Sequence, residues 1–339
     1  MPTTSEWPLE LVVADTVQLT AEIRSLKLEP ADGGPLPVFS AGAHIMFQVA
    51  LADGASDTTT LRGTLETAPC AERCYSLVNS DDQSGYYEIA VKLEAAGRGG
   101  SRFMHALRRG DHVRAALPKN DFPLHEKPHE AVLIAGGVGI TPILSMAKEL
   151  GSGGAAYRLH YASRSPETMA YRTGIAQMCG ERGHLYFDHG DPASGMPLAE
   201  AIGQPASARH LYVCGPRPLI DAVIATARAL QWPADHVHFE LFSAPVVQTG
   251  DRACRVVLNR SGLTLRVPAD KSILDAMIQA GIDPMFDCRR GECGVCAVRV
   301  LSGTPDHRDY ALSDDDRNQQ HLMCVCVSRV MEGELVLDA

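Results

Sequence analysis

Three closely spaced cysteines near the C-terminus constrain this 339-residue chain more than any other feature of its sequence. They follow the spacing C-x4-C-x2-C and are Cys288, Cys293 and Cys296. A fourth thiol comes further along the chain, at Cys324 or Cys326. This spacing is typical of a plant-type [2Fe-2S] cluster held by four thiolates. The sequence therefore predicts an iron–sulfur cluster, a carrier of one electron at a time.

The loop fits such a cluster better than it fits a structural zinc ion. Gly291 and Gly294 lie between the ligands, where a missing Cβ permits positive φ and close approach of the backbone to the sulfides. Four thiolates also suit zinc, but structural zinc sites usually space their ligands in C-x2-C pairs or slightly wider. Zinc remains the alternative. Disulfides are disfavoured because residues 1–10 show no export signal.

Charge and hydropathy exclude several classes of function. The formal net charge of −10 and the pI of about 5.7 argue against nucleic acid as the main partner. The apolar stretch from Ala131 to Ile140 is too short and too rich in glycine to span a bilayer. We therefore expect a cytoplasmic protein, monomeric, with no membrane or nucleic-acid partner.

The first third of the chain shows the pattern of many short β-strands. Between residues 9 and 117, apolar and polar positions alternate in short runs, separated by turn signals such as Asp53-Gly54. Such spacing predicts an antiparallel barrel. Within it, G-G-S at residues 99–101 opens a helical pattern, where free amides and the helix dipole favour a phosphate. The same run also suits an ordinary helix N-cap.

The middle of the chain has the pattern of a parallel α/β sheet. An apolar run at residues 131–135 predicts a buried strand, followed by the turn G-G-V-G at 136–139 and a helix. A glycine turn between a strand and a helix can place backbone amides against a pyrophosphate. Such a turn can also have a purely structural role. Further strands are predicted at 157–161, 184–187 and 210–213.

Two polar stretches and a small α/β pattern complete the chain. Residues 121–130 and 243–251 are predicted as exposed linkers, so His125 and His129 are expected to be solvated. A hairpin pattern and a helix with an S-x-x-D capping signal then precede the cysteine loop.

In this order, the motifs resemble those of the phthalate dioxygenase reductase family, which joins a flavin barrel, a nicotinamide domain and a C-terminal ferredoxin. The resemblance covers nearly the whole chain. R-C-Y-S at 73–76 is similar to the family's R-x-Y-S flavin motif, and G-G-S at 99–101 to its FMN phosphate loop. G-G-V-G-I-T-P at 136–142 and C-G-P at 214–216 are similar to its pyridine-nucleotide motifs.

The tail is similar to the family's ferredoxin end, with P-D-H-R-D at 305–309 and C-V-S-R at 326–329. The C-x-S-R continuation implies that Cys326 is the fourth cluster ligand and Cys324 a neighbouring packed thiol. The resemblance implies a multidomain fold. Its parts are an antiparallel β-barrel flavin domain (9–120), an α/β nucleotide-binding domain with a parallel sheet (128–242) and an α+β ferredoxin domain of the β-grasp type (252–339).

The resemblance also implies the cofactor contacts. FMN is expected to contact Arg73, Tyr75, Ser76, Val91, Lys92, Gly99, Gly100 and Ser101. NADH is expected to contact Gly136, Gly137, Gly139, Thr141, Pro142, Ser163, Arg164, Cys214, Gly215 and Pro216. The residues expected at the nicotinamide–flavin contact are Ser76, Cys214 and Phe242. Cys214 suits a small packing position equally well. NADH is expected over NADPH, although Arg164 suits a 2′-phosphate and no acidic residue adjoins it.

On this resemblance, the chain is the reductase component of an oxygenase system. NADH delivers hydride to FMN, the cluster draws electrons singly, and a separate terminal oxygenase, a Rieske-type aromatic-acid dioxygenase or demethylase, receives them. The alternatives are a reductase for a cytochrome P450, a stand-alone diaphorase that reduces small acceptors, and a redox sensor. A terminal one-electron carrier argues against the diaphorase, and the flavin and nucleotide motifs argue against the sensor.

Overall fold

The computed structural model of the chain describes residues 7–51, 70–80, 85–95, 97, 99–125, 130–242, 248 and 250–339. The chain divides into two compact units, Met1–Glu240 and Leu241–Ala339. The first unit contains an antiparallel barrel and a parallel sheet, and the second contains a mixed sheet. None of the helices in the described ranges is long and apolar enough to cross a membrane.

The barrel is built from six described strands. They are β1 (Leu9–Gln18), β2 (Ile23–Pro30), β3 (His44–Ala50), β4 (Cys70–Ser76), β5 (Tyr87–Lys92) and β6 (His112–Ala115). Their order is β4-β3-β6-β1-β2-β5, and neighbouring strands are antiparallel. Leu77, directly after β4, bridges to Ile89 in β5 at the opposite edge, so the sheet nearly closes. The predicted antiparallel barrel is therefore confirmed.

Apolar side chains fill the barrel and fix helix α1 (Gly100–Ala106) against it. Ile45 and Phe47 are fully buried in this core, and Phe103 of α1 joins them. His105 of the same helix donates from Nε2 to the Val91 carbonyl at 2.8 Å. Since burial lowers the pKa of His105, the ring is neutral at physiological pH. Helix α1 is thus bound to the end of β5.

The second half of the first unit is a parallel sheet with helices between its strands. Its strands are β7 (Glu130–Gly136), β8 (Ala156–Ser163), β9 (Gly183–Phe187), β10 (Arg209–Cys214) and β11 (Val237–Glu240). Its helices are α2 (Ile140–Ser152), α3 (Arg172–Cys179), α4 (Leu198–Ile202) and α5 (Arg217–Ala229). The strand order is β11-β10-β7-β8-β9, so the direction of winding reverses between β7 and β10. Ligands of such sheets bind outside the carboxyl ends of the strands at this reversal.

The barrel and the parallel sheet share one apolar core. Ile23, Val78 and Ala90 of the barrel side belong to the same buried cluster as Ala131 and Leu133 of β7. A shared core couples the two sheets more tightly than a flexible linker does. The two predicted N-terminal domains therefore form one compact unit.

The first predicted linker is packed where it begins, contrary to the expectation of a solvated segment. Phe122 is buried, and its ring contacts that of Tyr212 with centroids 6.0 Å apart. His125 is exposed, but it stacks on His210 at 4.2 Å and its amide donates to the Tyr212 hydroxyl. An aromatic residue among charged ones is enough to dock this stretch. His129, and residues 243–247 and 249 of the second predicted linker, lie outside the described residues.

The second unit is a mixed sheet with a helix packed on it. Its strands are β12 (Cys254–Leu258), β13 (Leu263–Val267), β14 (Ala297–Asp306), β15 (Leu322–Cys324) and β16 (Arg329–Leu337). Its helices are α6 (Ile273–Gln279) and α7 (Asp314–Asn318). The order is β13-β12-β16-β14-β15, with β12 and β16 parallel. Ser272 caps α6 by accepting from the Asp275 amide at 3.0 Å, as the S-x-x-D signal predicts.

Four histidines meet at the start of β10 and β11. His210 is nearly buried, and its ring stacks with those of His125 and His236 at 4.2 and 4.4 Å. Its Nδ1 lies 2.9 Å from Nε2 of His238. Burial, and after it the three other histidines, lower the pKa of His210 to about 4, while Asp235 opposes this shift. The cluster is therefore stable only while His210 is neutral.

Replacing His210 by glutamine should make the first unit less sensitive to acid. A histidine titrates near pH 6.5 in an unfolded chain, and folding lowers this pKa to about 4 at His210. Between these two values only the unfolded state binds the proton, so stability is lost as the pH falls from about 6.5 towards 4. Urea unfolding of the full chain, followed by fluorescence, measures this loss, since both tryptophans, Trp7 and Trp232, lie in the first unit.

The matched control is His112→Gln, because His112 lies on β6 and its side chain is 36% exposed. We expect this variant to keep the wild-type dependence of stability on pH between 6.5 and 4.5. In the His210→Gln variant, the free energy of unfolding should fall less steeply over the same pH range. Equal slopes for the two variants would show that the histidine cluster does not control acid stability.

Candidate redox site

Strand β4 carries the residues of the predicted flavin motif at its C-terminal end. Ser76 is 4% exposed, and its Oγ has no hydrogen-bond partner among the described residues. Buried hydroxyls are nearly always satisfied, and a bound group at this strand end can supply the partner that the described residues lack. Tyr75 precedes it, and burial raises the pKa of this phenol, which therefore stays a neutral donor. Both observations fit a bound flavin ring.

Arg73 of the same strand lies over the start of helix α1. A Cβ on Gly100 would stand 2.8 Å from both Cγ and Nε of Arg73, so only glycine fits beneath this side chain. Gly99, the N-cap of α1, has a φ of 96° and provides no side-chain hydrogen bond to the helix. A guanidinium beside uncapped helix amides is an arrangement that binds phosphate.

The remaining predicted flavin residues lie next to these two groups. Ser101 Oγ accepts a hydrogen bond from the Glu94 amide at 3.0 Å, which fixes the loop before α1. Val91 and Lys92 end β5, and the Val91 carbonyl already accepts from His105. The Lys92 ammonium is 3.3 Å from the Glu94 carboxylate. The structure thus places all predicted flavin residues on β4, β5 and the start of α1.

Two glycine turns meet at the reversal point between β7 and β10. The turn after β7 spans Gly136 to Gly139, and the turn after β10 contains Cys214 and Gly215. A Cβ on Gly139 would lie 2.3 Å from the Cys214 carbonyl oxygen, and one on Gly215 would lie 3.0 Å from Gly136 Cα. Only glycines allow this backbone contact. The sequence identifies the turns separately, and the fold brings them together.

The first turn has one open side. Gly137 adopts a φ of 55°, and no atom lies within 4 Å of the position that its Cβ would occupy. Its carbonyl accepts a hydrogen bond from the Tyr161 hydroxyl at 3.0 Å. Thr141 is buried and donates to the Val138 carbonyl at 3.1 Å, so its hydroxyl stabilises the turn itself. Pro142 follows in the first turn of α2. An open glycine turn that begins a helix fits a pyrophosphate.

The end of β8 carries the expected contacts to the adenosine side of the nucleotide. Ser163 Oγ lies 2.9 Å from Thr168 Oγ1, and Arg164 is exposed. The sequence prediction overlooked Glu167, which is three residues after Arg164 and exposed in a short turn that Ser165 caps. The S-x-x-T pattern of that cap was visible in the sequence. No acidic residue directly adjoins Arg164, as expected, but Glu167 is an exposed carboxylate close to it along the chain.

Two of the residues expected at the nicotinamide–flavin contact are in different environments. Cys214 is fully buried at the end of β10, opposite Ala135 of β7. Pro216 follows and caps α5. Phe242 belongs to the second unit, and its ring is 42% exposed. These assignments remain predictions.

The cysteine loop of the second unit winds through left-handed backbone conformations. Gly291 and Gly294 have φ values of 79° and 72°. A Cβ on Gly291 would lie 2.8 Å from Val327 Cγ2, so the predicted need for glycine holds there. The Arg290 amide donates to Cys288 Sγ at 3.3 Å. Amides that donate to sulfur stabilise thiolates, which is what a cluster-binding loop requires.

Two thiols compete for the fourth ligand position. Cys324 ends β15, lies opposite Ala297 of β14 and has no exposed surface. Cys326 lies beyond the strand and accepts a hydrogen bond from the Gly291 amide of the cysteine loop. Both thiols hydrogen-bond to Cys296. The contact with the loop backbone favours Cys326 as the ligand and leaves Cys324 as a packed thiol.

Side chains behind the loop hold it in place. The Asp309 carboxylate accepts from Ser328 Oγ at 3.1 Å and from the Leu312 amide at 3.1 Å. Arg290 donates to the Leu241 carbonyl at 2.6 Å, and Glu292 accepts from the Leu241 amide. Arg290 and Glu292 thus bind the loop to the first residue of the second unit.

Serine substitutions should distinguish the two candidate thiols. We expect Cys326→Ser to lose the visible absorption and most of the iron of the purified protein, because a cluster needs four thiolates. Cys324→Ser should retain both, since serine replaces a packed thiol at similar volume. Visible spectra and iron content of the two proteins, purified side by side, provide the measurement. Retention of the cluster in the first variant and its loss in the second would reverse the assignment.

Comparison with known domains and proteins agrees with the geometry. A model of the 2Fe-2S iron-sulfur cluster binding domain matches residues 256–331, and one of the oxidoreductase NAD-binding domain matches residues 133–224. The phthalate dioxygenase reductase of Burkholderia cepacia is 36% identical over 334 residues, covering 97% of each chain. The carnitine monooxygenase reductase subunit of Escherichia coli K12 is also 36% identical, over 97% of this chain and 98% of that protein.

The name of a third relative refers to a quinone and not to an oxygenase. The tetrachlorobenzoquinone reductase of Sphingobium chlorophenolicum is 36% identical over 97% of this chain and 98% of its own length.

Among solved structures, phthalate dioxygenase reductase superposes with a TM-score of 0.70 at 35% identity, covering 98% of both chains. An intact type IV self-sufficient cytochrome P450 monooxygenase superposes with a TM-score of 0.67 at 32% identity, covering 98% of this chain and 41% of that one. Sequence identity, fold and both matched domains therefore agree, and this chain belongs to the phthalate dioxygenase reductase family.

Proposed function

We propose that this protein is the reductase component of an oxygenase system and passes electrons from NADH, through FMN and a [2Fe-2S] cluster, to a separate terminal oxygenase. The observation that supports this most directly is the combination of groups in one chain. The first unit has paired glycine turns and a buried hydroxyl that finds no partner among the described residues, and the second has a loop of three cysteines with a fourth further along. A two-electron donor and a one-electron acceptor need a carrier between them.

The pyridine nucleotide is assigned to the open end of the parallel sheet. Gly137, Gly139 and Gly215 lack a Cβ, so a pyrophosphate can reach the backbone amides at the start of α2. Ser163 and Arg164 are assigned to the adenosine side. The exposed Glu167 supports NADH over NADPH, because a carboxylate accepts from ribose hydroxyls and repels a 2′-phosphate.

FMN is assigned to the end of β4, the end of β5 and the start of α1. Ser76, Tyr75 and the strand end at Val91 and Lys92 would hold the ring, and Arg73 with the amides after Gly99 would hold the phosphate. A bound flavin supplies the chemistry of accepting a hydride and releasing its two electrons one at a time. The chain supplies orientation and excludes water from the buried Ser76 hydroxyl.

The cluster is assigned to Cys288, Cys293, Cys296 and Cys326. Backbone amides donate to the sulfur atoms of this set, and such bonds stabilise the negative charge of the ligands. Cys293 is the exposed member, so one side of the loop is accessible to an acceptor.

The names of the relatives indicate the class of acceptor. Relatives of this length include reductases of a dioxygenase and a monooxygenase, which supports a Rieske-type aromatic-acid dioxygenase or demethylase as the partner. A cytochrome P450 is the second candidate, because the chain matches part of a self-sufficient P450. A stand-alone reductase of small acceptors is the third, supported by the quinone reductase.

Arg73→Met should weaken the binding of FMN without changing the binding of riboflavin, which lacks the phosphate. A charge-assisted hydrogen bond contributes about 1.5–3 kcal/mol, so FMN affinity should fall about tenfold or more. Quenching of flavin fluorescence on titration with flavin-free protein measures both affinities. FMN should also be the flavin that heat releases from the wild-type protein. Recovered FAD, or equal losses for FMN and riboflavin, would contradict the assignment.

Cys293→Ser should separate the two halves of the reaction. It removes one of four thiolates and prevents normal cluster assembly, but the second unit has its own apolar core, so the damage should not reach the first. The variant should still bind flavin, have its flavin bleached by NADH and reduce ferricyanide. It should no longer support turnover of an oxygenase partner.

The matched control is Cys254→Ser, a partly buried cysteine of β12 outside the proposed ligand set. It should keep the cluster and the oxygenase turnover. Two results would refute the serial scheme. One is undiminished oxygenase turnover by Cys293→Ser, and the other is loss of its flavin reduction by NADH. Full activity with a quinone in that variant would favour the stand-alone reductase.

A further inference from the structure

A chain of hydrogen bonds connects barrel strand β5 with the glycine turn after β7. Its first member is Glu88 of β5, whose Oε1 accepts from the Tyr171 hydroxyl at 2.8 Å and from Ser25 Oγ at 2.9 Å. Tyr171 immediately precedes α3 and thus belongs to the nucleotide-binding half of the unit. None of these residues forms part of a predicted motif.

The other end of the chain reaches the turn itself. The amide of Ala170, next to Tyr171, donates to the hydroxyl of Tyr161. Tyr161 in turn donates to the Gly137 carbonyl at 3.0 Å. Because the peptide group is planar and trans, a hydrogen bond to this carbonyl fixes the direction of the next amide as well. The hydrogen bonds of Tyr161 and Tyr171, joined through the Ala170–Tyr171 backbone, thus connect the turn with Glu88 of the barrel.

The backbone of Tyr171 is unusual in a way that points to function. Its φ is 57°, a left-handed conformation that a bulky residue rarely adopts. Such strain persists only where surrounding contacts impose it, and it concentrates at functional sites. The hydroxyl of this residue is also the one that donates to Glu88. Burial raises the pKa of both phenols, so Tyr161 and Tyr171 remain neutral donors throughout the working range.

A second connection runs parallel to the first. Ser145 Oγ of α2 donates to the Asn79 carbonyl at 2.9 Å, and Lys148 Nζ donates to the Val78 carbonyl at 3.0 Å. Val78 and Asn79 directly follow the flavin strand, and Asn79 Oδ1 accepts from the Glu88 amide at 2.9 Å. The helix that begins at the nucleotide turn is thus bound to the segment that follows the flavin strand.

We propose that Tyr161, Tyr171 and Glu88 are positioning residues for hydride transfer: they fix the nucleotide turn relative to the flavin strand. This rests on the proposed function. With both cofactors bound, a C–H bond of the reduced nicotinamide would break and a bond from that hydrogen to the flavin would form, with both electrons, so the nucleotide would be oxidised and the flavin reduced. A reaction of this kind requires the two rings to be held in one relative position.

Tyr171→Phe tests the proposal because it removes one hydroxyl and leaves Tyr161 on the turn. Flavin content and the Kd for ADP-ribose should stay within twofold of wild type. The rate of flavin reduction by NADH in stopped flow should fall about tenfold, since small displacements of reacting groups have large effects on rate. Hydrogen–deuterium exchange of the amides of residues 136–141 should increase. This readout needs neither cofactor.

Three further variants give the comparison its meaning. Tyr161→Phe should also weaken ADP-ribose binding, because it frees the Gly137 carbonyl. Glu88→Gln keeps an acceptor oxygen for Tyr171 and should therefore reduce its flavin faster than Tyr171→Phe does. Tyr157→Phe is the matched control, since Tyr157 is a buried tyrosine of β8, the strand of Tyr161, and its hydroxyl donates to Cys179 Sγ and not to the turn.

The outcomes are distinct. Flavin reduction by Tyr171→Phe at the wild-type rate overturns the proposal. A fall in flavin content or in folded protein as large as the fall in rate also overturns it, because the role of Tyr171 would then be merely structural. A slow Tyr157→Phe variant would overturn it as well. If NADH does not reduce the wild-type flavin, the proposed function fails. The exchange of residues 136–141 then still decides whether the connection positions the turn.

Discussion

The contact between two glycine turns, where backbone lies directly on backbone, is the constraint on which the first unit depends. A Cβ on Gly139 would stand 2.3 Å from the Cys214 carbonyl oxygen, a distance that no side chain tolerates. With glycine there, the ends of β7 and β10 can lie side by side. The apolar strand β7 and the reversal of strand order follow from burying this sheet on both faces. The nucleotide site is therefore a product of topology as much as of any side chain.

The division into two units matches the two kinds of electron movement. Transfer of a hydride requires reacting atoms in near contact, and the barrel and the parallel sheet share a single core that can hold such a geometry. The cluster unit has a separate core of its own, with the cysteine thiols packed into its edge. Because the cores are separate, a change in the second unit need not unfold the first.

The sequence predicted the local motifs well, but it did not predict the long-range contacts that hold those motifs in place. Cysteine spacing, strand alternation and the glycine turns each depend on local geometry, so the loop at Cys288, the barrel and the turn at Gly137 could be read from the chain. Long-range contacts leave no local pattern. The hydrogen bond from Tyr171 to Glu88 joins residues 83 positions apart, and the stacking of His125 on His210 makes an expected linker part of the sheet's surface.

The two motifs of the tail are an example of sequence patterns whose reason becomes clear only in the structure. P-D-H-R-D and C-V-S-R are separated along the chain, yet Asp309 and Ser328 hydrogen-bond at 3.1 Å behind the cysteine loop. The Arg308 amide donates to the same Ser328 hydroxyl at 3.2 Å, and the Asp309 backbone occupies the space that a Cβ on Gly291 would need. Ser328 lies two residues after Cys326, so this pair fixes both the loop and the proposed fourth ligand. The two motifs therefore contact each other behind the cysteine loop. This contact explains why the serine of C-x-S-R helps to identify the preceding cysteine as the proposed fourth ligand.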